Sequence, residues 1–245
     1  MKKIKIVFLH GLAGSWRNFE YLKKEFPDYQ TISFDLIGFG REAKPKIDYT
    51  VDDFMEFLDK KLRLSEDNNL QYVLVGHSLG ALLAKEVAKK YPNKVTKIFL
   101  LGYPFNSKEK VLGNRRYLVG VYGFYYVEGA LWARIICEMR MIWIMLLLPF
   151  IFLFRFKYRK SYIDYSKHIY QSAYGTIRNT ILKDNKEDLF KLSDKIVFIN
   201  GQKDGGADSE FTKKFKQYLI ESMGHSFFNY ESEIAKIIKD EIGNQ

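Results

Sequence analysis

The sequence predicts an α/β protein, a mostly parallel sheet flanked by helices on both faces, with a mainly helical segment inserted in the middle of the chain. Three observations predict it. Strand-like apolar runs near 4–9, 30–35, 71–76, 95–101, 195–200 and 217–221 alternate with helical patterns, as a parallel sheet covered on both sides requires. The run Tyr72–Val75 passes through Gly76-His77-Ser78-Leu79-Gly80 straight into the helix-like stretch Ala81–Ala88. Finally, a basic, apolar block interrupts the alternation between 104 and 188. At 245 residues the chain is long enough for one large domain. We expect residues 1–103 and 189–245 to form the core and 104–188 an inserted cap.

The first strand, Lys3–Leu9, is followed at once by His10-Gly11-Leu12-Ala13-Gly14-Ser15-Trp16. A glycine-rich loop leaving a strand can aim a backbone N–H at a developing negative charge. Leu12 N–H is one expected donor, with His10, Gly11 and Trp16 as neighbours in a substrate pocket. Met1-Lys2-Lys3 resembles the charged start of a signal peptide, but the apolar run behind it is too short for an h-region, so no export is expected.

The second element, Ile32–Phe34, leads into Asp35-Leu36-Ile37-Gly38-Phe39-Gly40-Arg41. Its Gly-x-Gly lacks the helix-opening third glycine of a phosphate-binding loop. The third is the strand–turn–helix junction. A serine hydroxyl becomes a useful nucleophile when it is exposed on a sharp turn, near a base and beside oxyanion donors. Ser78 is the candidate nucleophile, Leu79 N–H the second oxyanion donor, and His77 a pocket neighbour. Gly76 and Gly80 flank the turn where strand and helix must nearly touch.

The fifth strand, Lys195–Asn200, ends in Gly201-Gln202-Lys203-Asp204. A carboxylate at a strand's C-terminal end can fix the tautomer of a catalytic imidazole. Asp204 is the candidate, with Asp208 in reserve because Gly205 and Gly206 loosen the loop. The sixth, Tyr218–Ser222, precedes Met223-Gly224-His225-Ser226, and a final helix near Tyr230 carries Ile234, Ile237 and Ile238 on one face. Of four histidines only His225 falls late and on a loop after a strand, where a general base belongs; His168 has no evident partner in sequence.

Ser78, Asp204 and His225, in that order, together with the Gly-x-Ser-x-Gly turn and the loop at 35–41, resemble the α/β-hydrolase fold superfamily in its lipase/esterase-like branch with a cap. Arg41 stands where that loop usually carries Ser, and Asp208 where a proline often follows the acid. The resemblance covers 1–103 and about 190–245 and implies a serine esterase that forms an acyl-enzyme. Monoacylglycerols, lysophospholipids or medium-chain esters are the substrates it suggests. A thioesterase, acyltransferase or perhydrolase would use the same triad, and a slow-turnover binding protein could retain it. Epoxide and haloalkane hydrolysis are disfavoured, since those relatives place Asp where this chain has Ser78.

The inserted block carries most of the net charge. Residues 103–185 hold thirteen Lys/Arg against five Asp/Glu, a net of +8 beside +10 for the whole chain. Met141–Phe154 is fourteen apolar residues in a row, short of the roughly 20 that span a bilayer, and Pro149 should break a helix there. One crossing would also separate Ser78 from Asp204 and His225 across the membrane. Arg134, Arg140, Arg155, Lys157, Arg159 and Lys160 flank the run, with Tyr117, Tyr122, Phe124, Tyr125, Tyr126, Trp132 and Trp143 nearby. Cations and rings around an apolar run suit an anionic membrane surface through residues 134–160. They do not suit a nucleic-acid groove. The lone Cys137 excludes an internal disulfide, and the histidines lack ligand spacing, so neither cofactor nor metal is expected. Cytoplasmic residence with peripheral membrane association fits these features.

Overall fold

The structure, a computed structural model, describes residues 3–66, 69–105, 131–139, 142, 145–146, 149–150, 153, 156–205 and 208–243. Six strands appear where the apolar runs predict them: β1 Lys3–Leu9, β2 Gln30–Ser33, β3 Leu70–His77, β4 Val95–Leu101, β5 Ile196–Gly201 and β6 Lys216–Ile220. They form one sheet in the order β2-β1-β3-β4-β5-β6, and every neighbouring pair is parallel. The strand order reverses after β1, so the ends of β1 and β3 lie side by side, with Leu9 opposite Gly76. Ligands in open α/β sheets bind outside the strands' C-terminal ends at such a reversal.

The helices are α1 Glu20–Lys24, α2 Val51–Leu62, α3 Leu79–Lys90, α4 Leu131–Glu138, α5 Arg159–Asp164, α6 Tyr170–Thr176, α7 Ser209–Thr212 and α8 Glu231–Gly243. Alternation along β1 explains how the sheet is covered. Val7 and Leu9 face one core with Leu58 of α2 and Leu82, Leu83 and Val87 of α3. Ile6 and Phe8 face the other with Phe19, Leu22 of α1, and Ile234 and Ile238 of α8. Burying each such side chain contributes about 1.5–3 kcal/mol. Local signals set the helix ends. Thr50 caps α2 by accepting from Asp53 N–H, and the Asp53 carboxylate accepts from Thr50 N–H in return, while Arg63 closes the helix in a left-handed conformation at φ 55°.

Between β4 and β5 the described residues are mainly helical, comprising α4, α5, α6 and a π-turn at Ile177–Ile181. Pro149 and Phe150 are helical, and the expected break is flanked by residues outside the described set. The aromatic cluster at 117–126 also lies outside it. Among the described residues no helix is long and apolar enough to cross a membrane.

Buried charges tie these segments to the core. Lys85 of α3 is fully buried and pairs with Asp184, with Glu86 at 2.9 Å and with the Asn185 carbonyl at 3.2 Å. The Tyr103 hydroxyl, just beyond β4, donates to the same Asp184 at 2.6 Å. On the other side of the sheet Glu241 of α8 accepts from Lys97 of β4 at 2.9 Å, and from Lys216 at 2.5 Å and Tyr218 at 2.7 Å on β6. Burial alone would raise the Glu241 carboxyl, but hydrogen bonds from Lys216, Lys97 and Tyr218 outweigh it and hold the group at about 2.

A folded-state value below the ordinary 4.5 means stability that is present above about pH 4.5 and lost as pH falls towards 2. Glu241→Gln should therefore cost about 2 kcal/mol in urea unfolding near neutral pH and little near pH 2. An equal loss at both pH values would contradict the assignment.

Candidate active site

The site is built on the elbow. Ser78 sits at φ 53°, ψ −116°, a strained conformation for a residue with a side chain, between the end of β3 and the first turn of α3. Two glycines make room for it. A β-carbon on Gly76 would collide with the backbone of Gly80, and one on Gly80 with the Leu9 carbonyl at the end of β1. Leu79 is the first residue of α3, so its N–H is among the four that a helix leaves without an internal acceptor. Ser78 N–H donates to the Leu101 carbonyl at 2.9 Å, which anchors the elbow to the end of β4.

His225 and Asp204 meet on the far side of that same strand end. His225 Nδ1–H donates to Asp204 Oδ2 at 3.0 Å; the carboxylate is buried and the imidazole about half exposed. Asp208 is engaged elsewhere: its carboxylate accepts from Phe211 N–H at 3.0 Å, capping α7, and lies 3.9 Å from Lys186. Of the two aspartates, the structure brings Asp204 to the imidazole. Gly102, at φ +53°, bridges the two halves. It follows Leu101, and a β-carbon there would lie 3.2 Å from both Asp204 Oδ2 and His225 Nδ1. Elbow and His–Asp pair are thus separated by one residue of backbone. Among the described residues no hydrogen bond joins Ser78 Oγ to the His225 ring, whose Nδ1–H is held by Asp204.

The pocket neighbours need correction. His10 is fully buried with both ring nitrogens engaged, Nδ1–H donating to the Gly11 carbonyl and Nε2 accepting from Leu36 N–H, each at 2.8 Å. It sews the loop after β1 to the loop after β2 and does not line a pocket. Burial pushes its pKa down, which keeps the ring neutral and able to accept. His77 is likewise buried. Its Nε2–H donates to the His225 carbonyl at 2.8 Å, and the two rings lie 5.0 Å apart. Burial first, then the neighbouring His225, push His77 down to about 3, so it stays neutral and serves as a brace for the His225 loop. Gly11 does adjoin the elbow, since a β-carbon there would lie 3.2 Å from Ser78 Cβ. Leu12 is partly buried on the same loop. Trp16 N–H donates to Asp35 Oδ1 at 2.7 Å, and Arg41 N–H to Asp35 Oδ2 at 2.7 Å. Asp35 thereby fastens its own Gly-x-Gly loop to the loop after β1, and Arg41 contributes through its backbone.

Two residues that the sequence did not single out hold the site's loops. Asp164, at the end of α5, accepts from Ser15 Oγ at 2.8 Å, Arg17 Nε at 3.0 Å and Lys167 Nζ at 2.5 Å. Tyr158 donates to Glu231 at 2.6 Å, accepts from Asn229 N–H at 2.8 Å and stacks on Phe228 at 4.3 Å. The residues between β4 and β5 therefore grip both the loop carrying Leu12 and the loop following His225. Asp164 is one of only five acids in a strongly basic stretch, the one signal that could have marked it. His168 proves to have partners: Nδ1–H donates to the Tyr165 carbonyl at 2.7 Å, and the buried Cys137 Sγ lies 3.6 Å from Nε2.

This fold and this elbow define a class, and comparison with known proteins agrees. The sequence profile of the alpha/beta hydrolase fold matches residues 5–128, and the chain belongs to that family. It is 27% identical over 223 residues to the probable lysophospholipase BODYGUARD 4 of Arabidopsis thaliana, covering 81% of this chain and 52% of that one. It is 35% identical over 116 residues to the 1-acylglycerol-3-phosphate O-acyltransferase ABHD5 of Rattus norvegicus, covering 42% and 31%. The chain spans about half the length, or less, of these curated relatives. The esterase EaEST of Exiguobacterium antarcticum superposes with a TM-score of 0.69 at 16% identity, over 98% of this chain and 91% of that one. That likeness carries the fold.

Gly102→Ala should disturb the His225–Asp204 hydrogen bond and cost about 1–2 kcal/mol of backbone strain. Proton NMR of the wild type should carry a downfield Nδ1–H resonance that shifts or vanishes in the variant. An unchanged resonance would show that Gly102 does not crowd the pair.

Proposed function

We propose that this chain is a serine hydrolase that cleaves carboxylic esters of lipid-like molecules through an acyl-enzyme. One observation carries the reading: the strained Ser78 elbow is bonded to Leu101, and the next residue, Gly102, packs against a hydrogen-bonded His225–Asp204 pair. In this mechanism His225 Nε2 takes the Ser78 Oγ proton as Oγ attacks the ester carbonyl. Asp204 holds Nδ1–H and stabilises the imidazolium. The backbone N–H groups of Leu12 and Leu79 bind the oxyanion, a type of contact worth about 3–4 kcal/mol per donor. The imidazolium then protonates the leaving alkoxide, which departs as the alcohol. Water, deprotonated by the same ring, attacks the acyl-enzyme and releases the carboxylic acid and Ser78.

The residues between β4 and β5 act as the cap of this site and supply its apolar wall. Their grip on the loop at 15–18 through Asp164, and on the loop at 227–231 through Tyr158, supports that role. Lipid-like esters are favoured by the apolar insertion and by the lysophospholipase named among the relatives. The acyltransferase relative supports a second reading, in which an alcohol replaces water in the deacylation step.

Ser78→Ala should abolish ester turnover and labelling by a fluorophosphonate; labelling that persists in that variant would refute the nucleophile. His77→Phe, which removes the brace on the His225 carbonyl, should lower kcat about tenfold and leave KM nearly unchanged. In a chain-length series of nitrophenyl esters, long acyl chains should be preferred. Acyl transfer to glycerol or lysophosphatidic acid that outruns hydrolysis would decide for the second reading.

A further inference from the structure

The exposed apolar side chains of this protein are concentrated in one place. Of ten large ones exposed among the described residues, eight fall between 131 and 153. Leu131 and Ile135 lie four residues apart on α4, and Ile142, Leu146, Phe150 and Leu153 follow in sequence at intervals of four, four and three, a helix-like spacing. Leu131 and Leu153, at the two ends, are 69% and 77% exposed. A concentration of exposed apolar side chains of this size marks an interaction site.

A cavity of about 600 Å³ opens at the start of the stripe. Lys44 and Lys46 from the loop before α2, Arg134 of α4, and Tyr170 and Tyr174 of α6 line it, together with Leu131. The two tyrosine rings stack at 5.4 Å and 12°. Glu138, one turn beyond Arg134, is also on its wall, so among the described residues the lining carries three cations and one acid. Lys44 Nζ also donates to the carbonyls of Gly40 and Glu42, each at 3.0 Å, which holds it at the rim.

We infer that this face docks on an anionic phospholipid bilayer, the stripe entering the acyl region and the Lys44–Lys46–Arg134 cavity taking the phosphate head group of one lipid. Charge complementarity selects the occupant. A soluble anion would use the cavity and leave the stripe in water. An apolar protein surface would cover the stripe but strip water from the Lys44, Lys46 and Arg134 charges with no phosphate to replace it. A bilayer of anionic lipid satisfies both at once, and amphipathic rings such as Tyr170 and Tyr174 suit its interfacial layer. The docking goes beyond ester cleavage and does not require it, so a chain lacking the Ser78 hydroxyl should dock equally well.

The test is flotation of the full-length Ser78→Ala protein with phosphatidylcholine vesicles, with or without phosphatidic acid, at low and high salt. The protein should float with the anionic vesicles and be released by salt. K46Q/R134Q should weaken that partitioning about 30-fold, roughly fivefold per cation, and I142E/L146E should abolish it. Thermal melts establish that the variants fold, and the single substitutions K46Q and R134Q, each expected at about fivefold, serve if the double variant does not. Equal flotation with neutral and anionic vesicles, or no loss in K46Q/R134Q, would overturn the head-group site. Absent flotation would overturn the docking. If glycerol phosphate then bound in calorimetry, the cavity would belong to a free phosphate; if I142E/L146E abolished a dimer seen by sedimentation, the stripe would belong to a second copy.

Discussion

The close approach of three backbones, at the ends of β1 and β3 and the start of α3, is the constraint on which this structure turns. With no β-carbons at Gly76 and Gly80, the first turn of α3 can press against the Leu9 carbonyl, and only then can Ser78 hold its left-handed geometry. Such a conformation costs about 1–3 kcal/mol and persists only where the surroundings over-determine it. Here they do. Ser78 N–H is bonded to β4, and α3 packs on the sheet with Leu79, Leu82 and Leu83 fully buried. Strain is thereby converted into position: the hydroxyl stands at the reversal of strand order, beside a helix N-terminus and against the loop of Gly11 and Leu12.

The rest of the site is held by charge and hydrogen bonding rather than by apolar packing alone. Asp35 gathers the N–H groups of Trp16 and Arg41, Asp164 gathers Ser15 and Arg17, and His10 links the Gly11 carbonyl to Leu36 N–H. Each is buried, and a buried acceptor left without its donors would cost about 1–3 kcal/mol. Loops that would otherwise be free to move are thus held around the proposed nucleophile. Two of the three histidines near Ser78, His10 and His77, are buried and kept neutral; His10 bonds backbone groups through both ring nitrogens and His77 through Nε2, while His225 is half exposed.

The inserted segment faces two ways. Its inner side bonds to the sheet-and-helix core through Asp164, Tyr158 and the Lys85–Asp184 pair. Its outer side exposes the apolar stripe and the cationic cavity. A segment bonded simultaneously to the loops of the site and to a surface would bring an insoluble ester to the hydroxyl without releasing it into water.

The sequence by itself determined the alternation of strand and helix, all six strands, the elbow and its glycines, and the order of Ser, Asp and His. These are local properties, since periodicity, glycine placement and turn chemistry act over a few residues. What only the tertiary structure decided was which loops meet. The choice of Asp204 over Asp208 depends on where Gly201–Gly205 runs past the end of β4, 100 positions earlier in the chain. His10 looked like a pocket residue and is an internal strut, because Leu36 N–H lies opposite its ring. Gly102, Asp164 and Tyr158 carried no motif, for the partners that tie them to the site's loops lie between 70 and 149 residues away. Burial of a polar group, and the partner that compensates it, is a long-range property, and sequence spacing cannot encode it.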